Sequence, residues 1–349
     1  MSKLSHEDKE IFDRIYKVWE TKGELVLPKE MNDWVEKKFG SVEAVTVQDF
    51  LKITNVITNE GSIFNDLRTR RPISVDMGLD DILTEIEMAK TESFSQPLTG
   101  TPADTFGRIK GKYCITASNI AKYDGLHGLI IFDNYNPLLF SRKRIRDYFD
   151  VSKKWFRKAY KSNPNAIYPM FTWNCLWKAG STIIHGHAQL VLTEGQAYAK
   201  VEALRNDTRS YQEQYKSNYF DDIYNIHEKM GLGFTRKKIK VASSITPIKE
   251  KEIMIWSDSF NDDLADIVSD TLNTMKEKLG VMSFNLSIVL PPLIEVPESW
   301  DHFPILVRML DRGKLTEKTA DVGVMELYAQ SIIGTSPYAV HDELKKALL

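Results

Sequence analysis

The sequence predicts an α+β protein in which one series of elements occurs twice. In each series two apolar runs precede an amphipathic segment, and two more apolar runs follow it. Alternating or β-branched runs are typical of strands, and apolar residues at intervals of three and four are typical of a helix. Residues 112–195 and 237–349 therefore both have the order strand, strand, helix, strand, strand. This repetition indicates an internal duplication with a degenerate second copy.

The first 111 residues are expected to form helices, a strand and an arginine-bearing arm. Residues 5–21 carry apolar side chains at helical spacing, with Ser5 as the N-cap, and a second, short helix is expected after Pro28. Residues 45–57 are typical of a strand. The segment FNDLRTRRPIS follows, and an arginine cluster of this kind is usually a solvated loop. Residues 76–111 are polar and rich in turns, and they predict a connection with one short helix.

The first series begins with strands in KYCITASN and GLIIFDNYNP. Residues 141–160 are predicted to be a helix with one apolar face, and AIYPMFTWN is predicted to be the next strand. Residues 196–236, which follow the series, are charged and helical in pattern and predict a helical connection.

The second series repeats these elements in the same order. Strands are predicted in KIKVASSIT and EIMIWSD, followed by a helix over residues 261–279. Asn261 is the expected N-cap and Gly280 the expected stop. The closing strands are predicted in SFNLSIVLPP and HFPILVRML.

The composition excludes several classes of protein. Of the 349 residues 42% are hydrophobic, which allows two domains or one large two-lobed domain. The net charge of −2 argues against a nucleic-acid-binding protein. Cys114 and Cys175 lie in apolar runs and are expected to be buried free thiols. There is no apolar run of membrane-spanning length and the N-terminus is charged, so we expect a soluble, cytoplasmic protein without membrane partners.

The stretch NCLWKAGSTIIHGHAQLVL closes the first series and is rich in groups that could carry chemistry. His185, His187 and Gln189 lie in an apolar run typical of a buried strand, where alternation places all three on one face. Upstream, Asn174 and the turn Gly180–Thr182 bring an amide, backbone N–H groups and hydroxyls toward the same point. The row offers a nucleophilic imidazole and a turn suited to phosphate, although a His-x-His pair also suits zinc.

The spacing of this stretch resembles the active-site motif of the galactose-1-phosphate uridylyltransferase family, a branch of the histidine-triad superfamily. The matching residues are Asn174, Gly180, Thr182 (a Ser in the family), His185, His187 and Gln189. The resemblance implies two tandem histidine-triad-like α/β half-domains with mainly antiparallel sheets, and catalysis in the first half only. It covers most of the chain.

The resemblance implies a role for each polar residue of the motif. A neutral imidazole is an available nucleophile, so His187 is expected to attack the α-phosphorus of a nucleoside diphosphate compound and form a covalent nucleotidyl-histidine, with His185 beside it. Gln189 can donate a hydrogen bond to the phosphoryl oxygens but cannot titrate, which favours transfer over hydrolysis. The remaining phosphoryl oxygens are expected to be bound by Asn174, Ser181 and Thr182. Asn119 is expected to contact the base or ribose.

The arginine cluster also matches the family. Arg68 and Arg71, which precedes a proline, have the spacing of an Arg-x-x-Arg-Pro segment that contacts nucleotide phosphates across a dimer interface in that family. Guanidinium groups bind phosphate oxygens in bidentate fashion and keep their charge. We therefore expect a homodimer that binds nucleotide-sugar and phosphorylated small-molecule substrates.

The chain departs from the family where metals and sugar are bound. The family's zinc site uses two Cys, a loop His and the first His of the motif, whereas this chain has no Cys pair and has Asn136 at the loop position. The zinc site is therefore expected to be lost, and no metal or other cofactor is assigned. At the second metal site Glu202 matches a ligand but Val289 stands at a His position. Residues 322–326 lack the aromatic residue of the hexose-binding segment, which leaves the sugar open.

The expected reaction is transfer of a nucleoside monophosphate between a nucleoside-diphosphate sugar and a sugar 1-phosphate, with the base and sugar unassigned. Within the superfamily, the alternative is a dinucleoside polyphosphate phosphorylase or adenylyltransferase. Two other classes stay open. One is a metal-dependent hydrolase in which His185 and His187 are ligands together with His302 or Cys175. The other is a nucleotide-binding regulator without catalysis.

Overall fold

The computed structural model describes residues 4–65, 67, 78–317 and 320–349. The strands in these ranges are β1 (Tyr16–Glu24), β2 (Val47–Asn55), β3 (Gly61–Phe64), β4 (Cys114–Ser118), β5 (Leu126–Phe132), β6 (Ala166–Cys175), β7 (His187–Glu194), β8 (Gly233–Arg236), β9 (Ile239–Ser243), β10 (Ile253–Ser257), β11 (Phe284–Val289), β12 (Ile305–Asp311) and β13 (Ser331–Ile333).

The α-helices in the same ranges are α1 (His6–Ile15), α2 (Asn32–Phe39), α3 (Val42–Thr46), α4 (Leu79–Met88), α5 (Pro97–Gly100), α6 (Arg142–Ser162), α7 (Ala199–Tyr215), α8 (Tyr219–Lys229), α9 (Asp262–Glu277), α10 (Val324–Tyr328) and α11 (Pro337–Leu348). None of these helices is long and apolar enough to cross a membrane.

Nine strands form one antiparallel sheet in the order β4-β5-β7-β6-β11-β12-β10-β9-β8. The first series supplies β4-β5-β7-β6, and the second supplies the same order in mirror image, β11-β12-β10-β9. They meet where β6 pairs with β11, from Met170 opposite Val289 to Cys175 opposite Phe284. The predicted α+β class with mainly antiparallel sheets is confirmed.

Helices α6 and α9 cover one face of this sheet and contact each other. Arg146 on α6 makes two hydrogen bonds of 2.7 Å to Asp266 on α9, which fixes the pair. Gly128 on β5 permits close approach, because a Cβ there would lie 2.6 Å from the ring of Trp155 on α6. The alternate residues of β7 that point into this core are Ala188, Leu190 and Leu192. The odd-numbered residues of β7 therefore face away from the helices.

The prediction for residues 5–21 is wrong in its second half. Helix α1, capped by Ser5, ends at Ile15, and the chain continues as strand β1. β1 pairs antiparallel with β2 over nine residues, from Tyr16 opposite Asn55 to Glu24 opposite Val47. This long-range pairing satisfies the backbone hydrogen bonds and overrides the helical pattern.

The smaller sheet has the order β1-β2-β3-β13, with β13 parallel to β3. Neither β13 nor helix α11 was expected from the sequence. The segment of residues 76–111, where it is described, contains α4, α5 and two short 3₁₀ turns, more structure than the single helix expected. Arg68 and Arg71 lie outside the described residues.

Candidate active site

A strained loop leads into β7. Leu176 has φ 65° and ψ 174°, a conformation that residues with a Cβ rarely adopt. Its carbonyl accepts hydrogen bonds from the N–H groups of Ala179 (3.1 Å) and Ser181 (3.3 Å). Gly180, at φ 88°, completes the turn. Strain of this kind persists only where surrounding contacts hold the chain.

The loop is fastened at Gly186, between the two histidines. Its N–H donates to the carbonyl of Tyr135, and its carbonyl accepts from the N–H of Phe132, both at 2.9 Å. A Cβ at this position would lie 2.6 Å from the Phe132 ring, so glycine is required for the close approach. The expectation that His185 belongs to the strand is wrong, because these bonds hold it in the loop and β7 begins at His187.

His187 is held in one tautomer. Its Nδ1 lies 2.8 Å from the backbone carbonyl oxygen of His185. A carbonyl can only accept, so Nδ1 carries the proton and the lone pair is on Nε2. Nε2 has no hydrogen-bond partner among the described residues. Burial lowers the pKa of His187, whose side chain is 8% exposed, and keeps the ring neutral near pH 7.

Gln189 follows on the same face of β7, in a polar cluster around a third histidine, His127 on β5. The side-chain oxygen of Gln189 accepts a hydrogen bond from the Tyr123 hydroxyl (3.1 Å) and lies 2.8 Å from Nε2 of His127. These contacts at the oxygen leave the amide nitrogen of Gln189 as the group that can donate. In this orientation the amide nitrogen of Gln189 can donate a hydrogen bond to a phosphoryl oxygen.

Asn119 reaches the same ring nitrogen. Its side-chain oxygen accepts from the N–H of Ala121, and its amide nitrogen lies 3.1 Å from Nε2 of His127. Burial lowers the pKa of His127, which is fully buried, so the ring is neutral. One neutral ring nitrogen cannot both accept from Asn119 and donate to Gln189. The backbone N–H of Tyr123 donates to Nδ1 of His127 at 3.5 Å, so Nε2 carries the ring proton and donates to Gln189, and the amide nitrogen of Asn119 lies beside that bond.

Sequence reasoning missed His127 and its neighbour Lys122, whose ammonium donates to the carbonyl of His127 at 3.0 Å. The sequence feature that could have identified His127 is the alternation of side chains along β5, which places His127 on the same face as Leu129 and Ile131. These two residues lie opposite Gln189 and His187. Without the register of β5 against β7, that alternation does not identify the partner strand.

The structure places the other predicted phosphate ligands around this row. Asn174 on β6 lies one strand away, where its side-chain oxygen accepts from Asn285 at 2.7 Å. This leaves its amide nitrogen as the donor. Ser181 uses its hydroxyl within the loop, donating to the carbonyl of Ile183 at 2.6 Å, whereas Thr182 is exposed. His187, Gln189 and Asn174 are thus brought together on one face.

The residues of the metal-hydrolase alternative do not come together. The thiol of Cys175 lies in the core, 3.7 Å from the carbonyl of Met282. His302 lies before β12, at the other end of the antiparallel β6–β11 pair from the loop before β7. Across the described residues no group of three or more His, Cys, Asp or Glu side chains could hold a metal ion. The carboxylate of Glu202 is paired instead with Arg205 at 2.8 Å.

Comparison of the chain with known proteins finds solved structures with a similar fold. Neither a protein-family model nor a curated protein matches the chain. An ADP-glucose phosphorylase from Arabidopsis thaliana, solved with bound ADP-glucose, superposes with a TM-score of 0.64 at 13% identity, over 85% of this chain and 98% of that one. A uridylyltransferase gives 0.56 at 16% identity, over 71% and 88%. The chain has the fold of these two proteins.

A galactose-1-phosphate uridylyltransferase-like protein from Arabidopsis thaliana superposes equally well, with a TM-score of 0.63 at 15% identity, over 85% of this chain and 98% of the other. The resemblance inferred from the His-x-His-x-Gln motif is thereby confirmed at the level of the fold.

Proposed function

We propose that this protein is a nucleotidyltransferase that works through a covalent nucleotidyl intermediate on His187. It moves a nucleoside monophosphate from a nucleoside-diphosphate sugar to a phosphate-bearing acceptor. The observation that carries the proposal is the 2.8 Å contact between Nδ1 of His187 and the carbonyl of His185. It directs the lone pair of a neutral imidazole to Nε2, the state needed for nucleophilic attack.

The reaction takes two displacements. In the first, Nε2 of His187 attacks the α-phosphorus, an N–P bond forms, and the bond to the β-phosphate oxygen breaks so that sugar 1-phosphate leaves. In the second, a phosphate oxygen of the acceptor attacks the same phosphorus and the N–P bond breaks, which restores the neutral ring. Gln189 donates its amide N–H to a phosphoryl oxygen in both steps.

The acceptor is a sugar 1-phosphate in the proposal favoured by the sequence motif. Inorganic phosphate is the second candidate, because the ADP-glucose phosphorylase shares the fold over 85% of this chain. Dinucleoside polyphosphates are a further class of donor. The donors all present a nucleotide α-phosphorus to His187 and differ in the group that leaves. The acceptors differ in the phosphate oxygen that attacks the same phosphorus in the adduct.

Intact mass measurement tests the proposal. The protein is mixed separately with UDP-glucose, ADP-glucose, GDP-mannose and diadenosine tetraphosphate, and we expect one of them to add the mass of its nucleoside monophosphate. Addition of glucose 1-phosphate or phosphate to the adduct should then remove that mass and identify the acceptor. Retention of the adduct in a His187→Ala variant would contradict the assignment. Failure of all four donors to label the wild-type protein would contradict the covalent mechanism.

A further inference from the structure

A short segment before α5, residues 89–95, lies against the loop that carries the two histidines. We call it the strap. The carboxylate of Glu92 accepts two hydrogen bonds from that loop, one from the N–H of His185 (2.7 Å) and one from the N–H of Ile184 (3.1 Å). Phe94, two residues on, places its ring perpendicular to that of His187, with the centroids 5.1 Å apart.

The strap is itself held in place. Ala89 is buried, and its carbonyl accepts from the hydroxyl of Ser95 at 3.1 Å, which closes the strap into a compact turn. Helix α4, which leads into it, is fixed by a 2.5 Å hydrogen bond from the Tyr135 hydroxyl to Glu87. The backbone carbonyl of Tyr135 also accepts a hydrogen bond from the N–H of Gly186. Tyr135 therefore contacts both the helix before the strap and the loop that carries the two histidines.

Glu92 acts on His187 through a single intervening residue. The N–H of His185 is bound by Glu92, and the carbonyl of the same residue is bound by Nδ1 of His187. Fixing both ends of His185 sets the direction of the carbonyl that selects the tautomer. Hydrogen bonds to a charged group are stronger than neutral ones, so a carboxylate suits this purpose.

We propose that Glu92 is a positioning residue that holds the His185 backbone so that His187 presents Nε2 to the substrate. The inference deepens the proposed function and rests on it. The sequence gives no signal for the role, because Glu92 is about ninety residues from the loop and lies in a segment that reads as a polar connection. The carboxylate of Glu92 on the strap thus orients the ring of His187.

Glu92→Gln tests the proposal, because a Gln amide can accept from one of the two N–H groups but turns its own N–H₂ toward the other. The ring ¹⁵N chemical shifts of the seven histidines are measured in the wild type and the variant. In the wild type we expect His187 to be protonated on Nδ1 alone, and in Glu92→Gln we expect a mixture of tautomers. His227, whose Nδ1 lies 2.7 Å from the carbonyl of Ile223, should be unchanged and reports on folding.

Kinetics give a second readout. At saturating donor we expect Glu92→Gln to slow adduct formation by about 10- to 100-fold, with a much smaller change in KM, as is usual when a residue that orients a reacting group is lost. Glu92→Asp should recover part of the rate. Glu85→Gln on the exposed side of α4 is the matched control and should behave as the wild type.

The outcomes separate the two proposals. Unchanged His187 shifts in Glu92→Gln, with His227 intact, would overturn the role of Glu92 even if the wild type forms an adduct. A changed tautomer in a protein whose wild type forms no adduct with any donor would support the role of Glu92 and contradict the proposed function. If the His227 shift changes in Glu92→Gln, the test moves to Glu92→Ala, which removes the acceptor for both N–H groups. Unchanged His187 shifts together with a wild-type rate in Glu92→Ala would overturn the role.

Discussion

Nδ1 of His187 bonds the backbone of His185, not its ring. The 2.8 Å contact ends on the carbonyl oxygen of His185, while the ring of His185 lies 3.3 Å from the carbonyl of Gly186 through its own Nδ1. The two histidines of the motif therefore have unequal roles. In the proposed mechanism His187 provides the reactive nitrogen, and His185 provides a peptide group that any residue could supply.

This difference predicts the effect of removing each ring. His187→Ala should lower adduct formation by at least about a thousandfold, because the nucleophile is lost. His185→Ala keeps the carbonyl and should lower it by about tenfold, through lost packing around the loop. Single-turnover labelling measures both. Equal losses in the two variants would show that the His185 ring takes part directly.

The pH dependence follows from the burial of His187. Burial disfavours the charged imidazolium and lowers the pKa of His187. The hydrogen bond to the His185 backbone and the charge of Glu92 act in the opposite direction and raise this pKa, but burial outweighs them. Only the neutral ring attacks, so the labelling rate should fall as the pH drops through that lowered pKa. We expect the labelling rate to stay at its maximum down to a pH below about 6.5, the ordinary pKa of a histidine side chain. Single-turnover rates between about pH 5 and pH 8 measure it, and a midpoint above 6.5 would contradict it.

Gln189→His should raise hydrolysis of the intermediate relative to transfer, because a titratable ring replaces an amide beside the phosphorus. Gln189→Met is the matched control. It removes the amide without adding a base, so it should slow transfer by about a hundredfold without favouring water. The measurement is the partition of preformed adduct between water and acceptor. An unchanged partition in Gln189→His would show that this residue does not control the choice.

Removing the charge of Arg308 should strongly destabilise the protein. It donates to Glu252, which is 1% exposed, at 2.6 Å and to Glu60 at 2.5 Å. Arg308→Met should lower the free energy of unfolding by about 3–5 kcal/mol, because it leaves the Glu252 carboxylate buried without its partner. Urea denaturation measures the change. Arg209→Met, which breaks an exposed pair with Glu213, should have little effect, and equal losses would contradict the explanation.

Arg68 and Arg71 remain a prediction, since both lie outside the described residues. A pyrophosphate linkage brings about two negative charges, and charge-assisted hydrogen bonds are worth about 1.5–3 kcal/mol each. Losing both arginines should therefore weaken turnover by about a hundredfold or more. If they act on the partner of a homodimer, mixing Arg68→Ala/Arg71→Ala protein with His187→Ala protein should restore part of the activity. No recovery despite subunit exchange would place them in their own subunit or outside the site.

Local patterns determined much of this protein. The helix expected over 261–279 is α9, and Asn261 caps it by accepting from the N–H of Leu264 at 3.1 Å. Such signals are readable because a helix bonds within itself, so its cap and its apolar face lie within a few residues of each other. The strands of both series, and the row of His187 and Gln189 on one face of β7, follow from alternation in the same way.

Only the tertiary structure decided which distant residues meet at that row. The strand Tyr16–Glu24 follows from its pairing with β2, His127 reaches Gln189 across the β5–β7 register, and Glu92 reaches His185 from the strap. Each of these contacts joins residues that are far apart in the chain and share no periodicity. A hydrogen bond of this kind is specified by the packing of whole elements, so the amino-acid sequence identifies the proposed nucleophile but not the groups that contact it or its loop.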